Sequence, residues 1–173
     1  MNNILYSFLY AWAKLHGVLP MRILYILSDL FYIIIYKLVG YRLKVVRKNM
    51  KKSFPDKSAE ELKKLEQEFY HHFCDYVVET LKLSHISLEE VQRRAYLSNP
   101  ELVDDLMEKG HTTFILLMGH YGNWEWFSAS SSRFKSARVY QIYRPLNNLA
   151  FDRLFVYLRT RFGSLGIKKN DTI

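Results

Sequence analysis

The sequence contains a single cysteine, Cys74. One cysteine forms no intrachain disulfide and no cysteine-based zinc cluster, and it fits a reducing compartment. The sequence also has no Gly-x-Ser-x-Gly nucleophile motif, no internal repeat and no low-complexity segment beyond the serine run at 128–132. Hydrophobic residues make up 49% of the chain, with 13 Tyr, 11 Phe and 3 Trp. This composition excludes general disorder, and 173 residues suffice for one domain with a core.

Acidic residues are the scarcer charged class, since 17 Asp and Glu face 25 Lys and Arg and give a formal net charge of +8. Such a balance favours an anionic partner: nucleic acid, acidic lipid or acidic protein. No helix-turn-helix, zinc-finger or RNA-recognition pattern is present, so we expect no nucleic-acid partner. Six basic residues occur without an acid among them: Arg42, Lys44, Arg47, Lys48, Lys51 and Lys52. A cluster directly beyond an apolar segment is typical of a cytoplasmic flank facing anionic headgroups, and a solvated helix face is the alternative.

Two apolar runs, Ile4–Trp12 and Ile23–Val39, precede this cluster. The second run contains Asp29 and Lys37 and is borderline for a membrane span, which needs about 20 apolar residues. It is too long for a signal peptide and lacks a small-residue cleavage site. We therefore predict that 1–52 is a membrane-associating helical segment with a basic flank; the alternative is a buried amphipathic helix of a soluble core.

Beyond this segment, the pattern predicts an α/β domain over 53–173, with a mostly parallel sheet flanked by helices. Ser58 and Glu61 form a capping-box pattern, and the helix that follows repeats apolar residues at helical spacing: Leu62, Leu65, Phe69 and Phe73. Thr113–Met118 and Ala137–Ile142 are typical of strands, and 147–162 is typical of a helix that ends at Gly163. Cys74 lies inside the first helix, away from any basic cluster, so we expect it to pack rather than react.

The turn after the first predicted strand carries the candidate catalytic residues. His120 and Glu125 are five positions apart, with Gly122 and Asn123 between them, and a helix is expected to open here. A carboxylate can hold one imidazole nitrogen and leave the other to take a proton from a hydroxyl. Backbone N–H groups around Gly122 and Asn123 would face a developing oxyanion at the positive end of that helix.

Three arginines are candidates for binding a substrate phosphate. Arg144 follows the second predicted strand and is the strongest of them, because parallel strands deliver their carboxyl ends to one edge of a sheet. Arg159 and Arg161 either assist it or charge a solvated helix face. The motif supplies only two plausible metal ligands, fewer than a zinc site requires, so we expect no metal.

The block Gly119-His-Tyr-Gly-Asn-Trp-Glu-Trp126 resembles the His-x4-Asp/Glu motif of the lipid A biosynthesis (late) acyltransferases, within the glycerolipid acyltransferase-like group. Further blocks resemble that family in its usual order: Arg47-Lys-Asn-Met50, Ser53-Phe-Pro55, Tyr143-Arg-Pro145 and Arg159-Thr-Arg-Phe-Gly163.

The resemblance implies transfer of a fatty acyl chain from an acyl carrier protein thioester to a hydroxyl of a phosphorylated lipid, a lipid A precursor. It implies His120 as base, Glu125 as its partner, no cofactor, and the cytoplasmic face of the bacterial inner membrane. Family members are longer than this chain, so the resemblance also implies a sheet that is incomplete at its C-terminal end. The alternatives are a truncated, inactive membrane-binding module, an acyltransferase acting on another lipid acceptor, and, least favoured, a basic nucleic-acid binder.

Overall fold

The computed structural model describes residues 2–134 and 137–172, and most of them are helical. The described residues form seven α-helices: α1 (Asn2–Val18), α2 (Met21–Tyr32), α3 (Leu43–Ser53), α4 (Ala59–Lys82), α5 (Leu88–Arg94), α6 (Glu101–Glu108) and α7 (Leu149–Thr160). Two strands occur in the same described ranges, β1 (Tyr140–Tyr143) and β2 (Leu165–Lys168). A π-helical segment, Ile33–Val39, continues α2, and 3₁₀ helices span Trp124–Arg133 and Lys169–Asp171.

The chain divides into two compact units. One unit is Leu19–Glu79, and the other combines Met1–Val18 with Thr80–Ile173. The functional division at residues 52 and 53 that the sequence suggests stays a prediction.

In the Leu19–Glu79 unit, an aromatic core forms between the α2 segment and α4. Tyr32 and Tyr36 pack with Tyr70 and Cys74, all of them buried. Burial raises the pKa of the Cys74 thiol to about 11, so the thiolate is scarce at neutral pH. The packing role predicted for Cys74 is therefore confirmed.

The N-terminus of α4 is capped as the sequence predicts. The Glu61 N–H donates to Ser58 Oγ at 3.2 Å, and the Ser58 N–H donates to Glu61 Oε2 at 2.8 Å. This reciprocal pair satisfies two backbone donors that would otherwise lack a partner at the helix start. The capping box is confirmed.

The buried face of α4 differs from the prediction based on apolar spacing. Four residues at intervals of four are buried: Glu66, Tyr70, Cys74 and Val78. Leu62, Leu65 and Phe73 are only half-buried, and Phe69 is exposed. This face can be buried because the Glu66 carboxylate is paired with the half-exposed cations Arg47 and Lys63, and because the Tyr70 hydroxyl donates to the carbonyl oxygen of Tyr41.

In the other unit, α1 packs against α7 and against the turn that follows α4. Ser84 Oγ donates to the carbonyl oxygen of Ala13 at 2.5 Å, and Lys82 Nζ donates to that of Gly17 at 2.7 Å. The approach at Gly17 is close, since a Cβ there would lie 2.5 Å from Ser84 Oγ. A glycine is therefore required at this crossing.

A two-stranded parallel sheet forms in the same unit, and α7 connects its strands. Tyr140 lies opposite Leu165, and Tyr143 lies opposite Lys168. The α/β class and the parallel orientation are thus confirmed, within a fold that is mainly helical. The strand expected over 137–142 is found as β1.

Helix α7 begins after an Asn148 cap that the sequence analysis did not identify, and it ends before Gly163, as the sequence predicts. The Asn148 side chain accepts hydrogen bonds from the N–H groups of Ala150 and Phe151, at 3.0 and 3.4 Å. Gly163 adopts a φ of 97° just beyond the helix, a conformation that favours glycine. The helix expected over 147–162 is therefore confirmed, with both ends trimmed.

The strand expected at Thr113–Met118 is wrong. No other described segment pairs with it, and its side chains are exposed, with Ile115 at 86% and Leu117 at 88%. An extended segment becomes a strand only when a neighbour supplies ladder hydrogen bonds. β1 instead pairs with β2, which the sequence did not predict as a strand.

No single helix in the described ranges is both long enough and apolar enough to cross a membrane. Met21–Val39 and Leu43–Ser53 meet those criteria as a pair, but a bend of 97° separates them.

Candidate active site

A glycine-containing turn presents His120 to solvent. Gly122 has a φ of 59°, in the left-handed region where a residue with a side chain is strained by roughly 1–2 kcal/mol. No atom lies within 4 Å of the position that a Cβ would occupy, so the requirement for glycine is conformational. The His120 ring contacts Trp124 edge-to-face, with centroids 4.8 Å apart and planes at 82°.

The helix predicted after this turn is present as the 3₁₀ helix Trp124–Arg133. Trp126 is buried and anchors it, while Trp124 and Phe127 are half-buried. Gly122 and Asn123 immediately precede its first turn, where backbone N–H groups point out of a helix and carry a partial positive charge. The structure therefore has the predicted arrangement: His120, then the turn at Gly122, then the start of a helix at Trp124.

The Glu125 carboxylate is buried, with 4% of the side chain exposed, and it pairs with Arg159 of α7. Arg159 Nε donates to Oε2 at 2.7 Å, and Nη2 donates to Oε1 at 2.6 Å. A two-pronged guanidinium–carboxylate pair fixes the orientation of both groups. The structure thus brings together two predicted site residues, Glu125 and Arg159, in a partnership that the sequence did not suggest.

Two polar residues that the sequence analysis did not single out support this pair. Ser164 Oγ donates to the carbonyl oxygen of Arg159 at 2.6 Å and accepts from Gln141 Nε2 at 2.9 Å. Gln141 lies on β1, so the sheet is connected to the Arg159 end of α7. No sequence signal identifies this connection, because the partners of Ser164 lie on two different elements.

The other two arginines occupy different surroundings. Arg144 is exposed directly after β1, where the sequence placed it. Arg161 Nη1 donates to the carbonyl oxygens of Leu83 and Ile86, the latter at 2.8 Å. Arg161 therefore satisfies carbonyl groups just beyond the end of α4, a role that neither sequence alternative included.

The family model for the bacterial lipid A biosynthesis acyltransferases matches residues 2–173. Neither the curated proteins nor the solved structures yield a significant match. Because the family match extends over almost the whole sequence and includes the His-x4-Glu turn, the chain belongs to the bacterial lipid A biosynthesis acyltransferase family and is an acyltransferase.

Proposed function

We propose that the chain transfers a fatty acyl group from an acyl carrier protein thioester to a hydroxyl of a phosphorylated lipid A precursor, with His120 as general base. The observation that carries this proposal is the exposed imidazole of His120 on the turn that leads to the buried Glu125. An acyltransferase base needs access to the hydroxyl that it deprotonates, and His120 has that access.

In this mechanism, His120 takes the proton as the acceptor oxygen attacks the thioester carbonyl. The C–O bond forms, the C–S bond breaks, and the proton passes to the departing thiolate. Backbone N–H groups at Gly122 and Asn123 would stabilise the negative charge that develops on the carbonyl oxygen. No covalent acyl-enzyme is required.

Glu125 acts in this proposal through its position rather than as a second base. Both of its oxygens accept hydrogen bonds from Arg159, which partly compensates the negative charge. Arg159 is then a positioning residue that holds Glu125 at the start of the 3₁₀ helix. This role replaces the phosphate contact that the sequence suggested for it.

Arg144 remains the candidate for the acceptor phosphate. Its guanidinium is exposed at the carboxyl end of β1, and guanidinium groups bind phosphate oxygens in bidentate fashion. Arg161 is left out of the proposed phosphate contact because backbone carbonyl groups engage it.

We also propose that the protein works at the cytoplasmic face of the bacterial inner membrane. Helix α1 has an exposed apolar stripe at helical spacing: Ile4, Phe8, Trp12, Leu15 and Val18. The segment Met21–Val39 has another: Ile23, Ile26, Leu30, Ile33, Ile34 and Leu38. Apolar stripes exposed to water are costly, whereas a lipid surface accepts them, and the basic helix α3 suits anionic headgroups.

The direct test is acyl transfer by His120→Gln, measured with an acyl carrier protein thioester and a phosphorylated lipid A precursor. We expect turnover to fall by about 10²–10⁴-fold, the usual scale for a general base, with an unchanged thermal melt. His111→Gln is the matched control, because His111 is also exposed but lies outside the turn. Equal, measurable turnover by wild type and His120→Gln would refute the catalytic role of His120. No turnover by wild type would instead favour an inactive membrane-binding module.

A further inference from the structure

A groove lies within the Leu19–Glu79 unit, between α3 and the first half of α4. Its volume is about 450 Å³, in the range of small-ligand pockets. The residues proposed for acyl transfer belong to the other unit. Neither the family match nor the proposed mechanism assigns the groove a role.

The groove carries an excess of positive charge. Four cationic side chains line it, Arg47, Lys48, Lys51 and Lys63, against the single carboxylate of Glu66. A surface of one charge sign in a concave, partly desolvated place attracts and retains ions of the opposite sign. The excess of three positive charges suits a phosphate monoester, which carries about −1.5 to −2 at neutral pH, better than a singly charged phosphodiester.

Glu66 fixes the positions of Arg47 and Lys63 through hydrogen bonds, and its single negative charge leaves the groove positive. Glu66 is 2% exposed and accepts from Arg47 Nε at 2.6 Å, from Arg47 Nη2 at 3.1 Å and from Lys63 Nζ at 2.8 Å. The Tyr36 hydroxyl donates to it as well, at 2.8 Å. The two cations are thereby held in place while about half of each side chain stays exposed.

Lys48 and Lys51 are the cations left for a ligand. Both are exposed on α3, and neither takes part in an ion pair within the described part of the chain. They lie one turn apart, so their ammonium groups can approach the same anion. Apolar groups of Met50 and Leu62 line the groove beside them.

We propose that this groove binds the phosphate monoester group of an anionic lipid. Pre-positioned Arg47 and Lys63 form its floor, and Lys48 and Lys51 close on the phosphate oxygens. The lipid source follows from the apolar lining and from the exposed apolar stripe of Met21–Val39 in the same unit, which gives the acyl part of such a ligand a compatible surface. The inference does not rest on turnover at His120.

The test compares binding of the full chain to phosphatidylcholine vesicles that contain either phosphatidic acid, a monoester, or phosphatidylglycerol, a diester, at matched surface charge. We expect wild type to prefer phosphatidic acid by about tenfold or more, the scale of one or two charge-assisted hydrogen bonds. Lys48→Gln/Lys51→Gln should bring that ratio close to one. Lys48→Arg/Lys51→Arg should keep it.

The matched control is Lys44→Gln/Lys52→Gln. It removes the same charge from the same helix, but neither residue lines the groove. General attraction to anionic vesicles falls in both Gln variants, so the ratio between the two lipids, not the affinity, is the deciding readout. The control should keep the wild-type ratio.

Three results would overturn the proposal: no preference in wild type, an equal loss of preference in the control, or an intact preference in Lys48→Gln/Lys51→Gln. In the last case, a weaker calorimetric titration with inorganic phosphate would reassign the groove to a soluble anion. Weaker capture of an acidic carrier protein would instead reassign it to a protein partner. Thermal melts of all variants should coincide, because the exchanged lysines are exposed.

Discussion

At the residue scale, two buried glutamates organise the two units, and each is held by arginine. Glu125 pairs with Arg159 in one unit, and Glu66 pairs with Arg47 and Lys63 in the other. Burying a carboxylate is expensive unless its charge is compensated and its oxygens are hydrogen bonded. Each pair therefore fixes a local geometry, and removing the cationic partner leaves a buried carboxylate without its compensating charge.

The Glu125–Arg159 pair can be tested by a double-mutant cycle. Arg159→Gln should lower the free energy of unfolding by about 3 kcal/mol, because it leaves the carboxylate buried without its bidentate partner. Glu125→Gln/Arg159→Gln should lose less than the sum of the two single variants, with a coupling energy of about 1–3 kcal/mol. Urea denaturation provides the measurement. Exposed Arg144→Gln is the control, and additive single effects would show that the pair is not coupled.

Turnover separates positioning from simple stability in the same variants. If Arg159 positions Glu125, Arg159→Gln should reduce kcat at temperatures where the variant is fully folded, while KM for the lipid stays close to the wild-type value. A rise in KM with unchanged kcat would point instead to the substrate contact that the sequence first suggested.

Glu66 makes the free energy of unfolding depend on pH in the acid range. Hydrogen bonds from Arg47, with further help from Lys63 and Tyr36, lower the pKa of Glu66 from its ordinary 4.5 to about 2. Since the folded pKa lies below the unfolded one, the contribution is fully present above pH 4.5 and is lost as the pH falls towards 2. The free energy of unfolding of wild type minus that of Glu66→Gln should therefore shrink by about 2–3 kcal/mol over this range. A difference that does not change with pH would contradict the shift.

At the element scale, the segment 113–118 is an exposed apolar stretch with which no strand among the described residues pairs. Its side chains are those of a buried strand, and Ile115 and Leu117 point to the same side of an extended chain. Such a segment is a template for pairing with another strand. It leads directly from α6 to the His120 turn, so its state affects how that turn is held.

We expect Ile115→Lys/Leu117→Lys to reduce self-association. Charged residues on an unpaired edge oppose strand pairing, and neither side chain is buried, so the melt should change little. Sedimentation velocity over a range of protein concentrations measures the effect. Tyr96→Lys removes an exposed apolar side chain elsewhere and is the control. Identical sedimentation of all three proteins would mean that this segment does not drive association.

At the scale of the whole molecule, the exposed apolar stripes and the basic charge both favour binding to an anionic lipid surface. The apolar stripes lie on α1 and on Met21–Val39, and the basic cluster runs from Arg42 to Lys52 in and just before α3. Peripheral binding adds the burial of apolar area to attraction for anionic lipid. The two terms can be separated, because salt screens only the second.

Flotation with anionic vesicles tests this combination. Phe8→Ser/Leu15→Ser should weaken binding by about tenfold or more, since each change removes roughly 1–2 kcal/mol of apolar burial. Leu102→Ser on α6 is the control for an exposed apolar residue outside the stripes. Release of the intact chain by high salt would favour surface binding over a span. An intact chain that stays soluble and ignores the vesicles would contradict the membrane proposal.

The sequence by itself determined the features that depend on neighbours along the chain. Ser58 with Glu61, Asn148 with Ala150, and the positive φ of Gly163 follow from hydrogen bonds or backbone angles within a few residues. The His-x4-Glu block is also local, and it was enough to indicate the family that the comparison then established.

Only the tertiary structure decided which distant groups meet. Glu125 is hydrogen bonded to Arg159, which is 34 positions away along the chain. Glu66 lies on the buried face of α4, where it accepts hydrogen bonds from Arg47 and Tyr36. Apolar spacing could not foresee this, since it assigns every carboxylate to the surface unless a partner is known. Strand formation likewise depends on a distant neighbour. Thr113–Met118 is not a strand because no described segment pairs with it, whereas Leu165–Lys168 is a strand because β1 supplies its ladder hydrogen bonds.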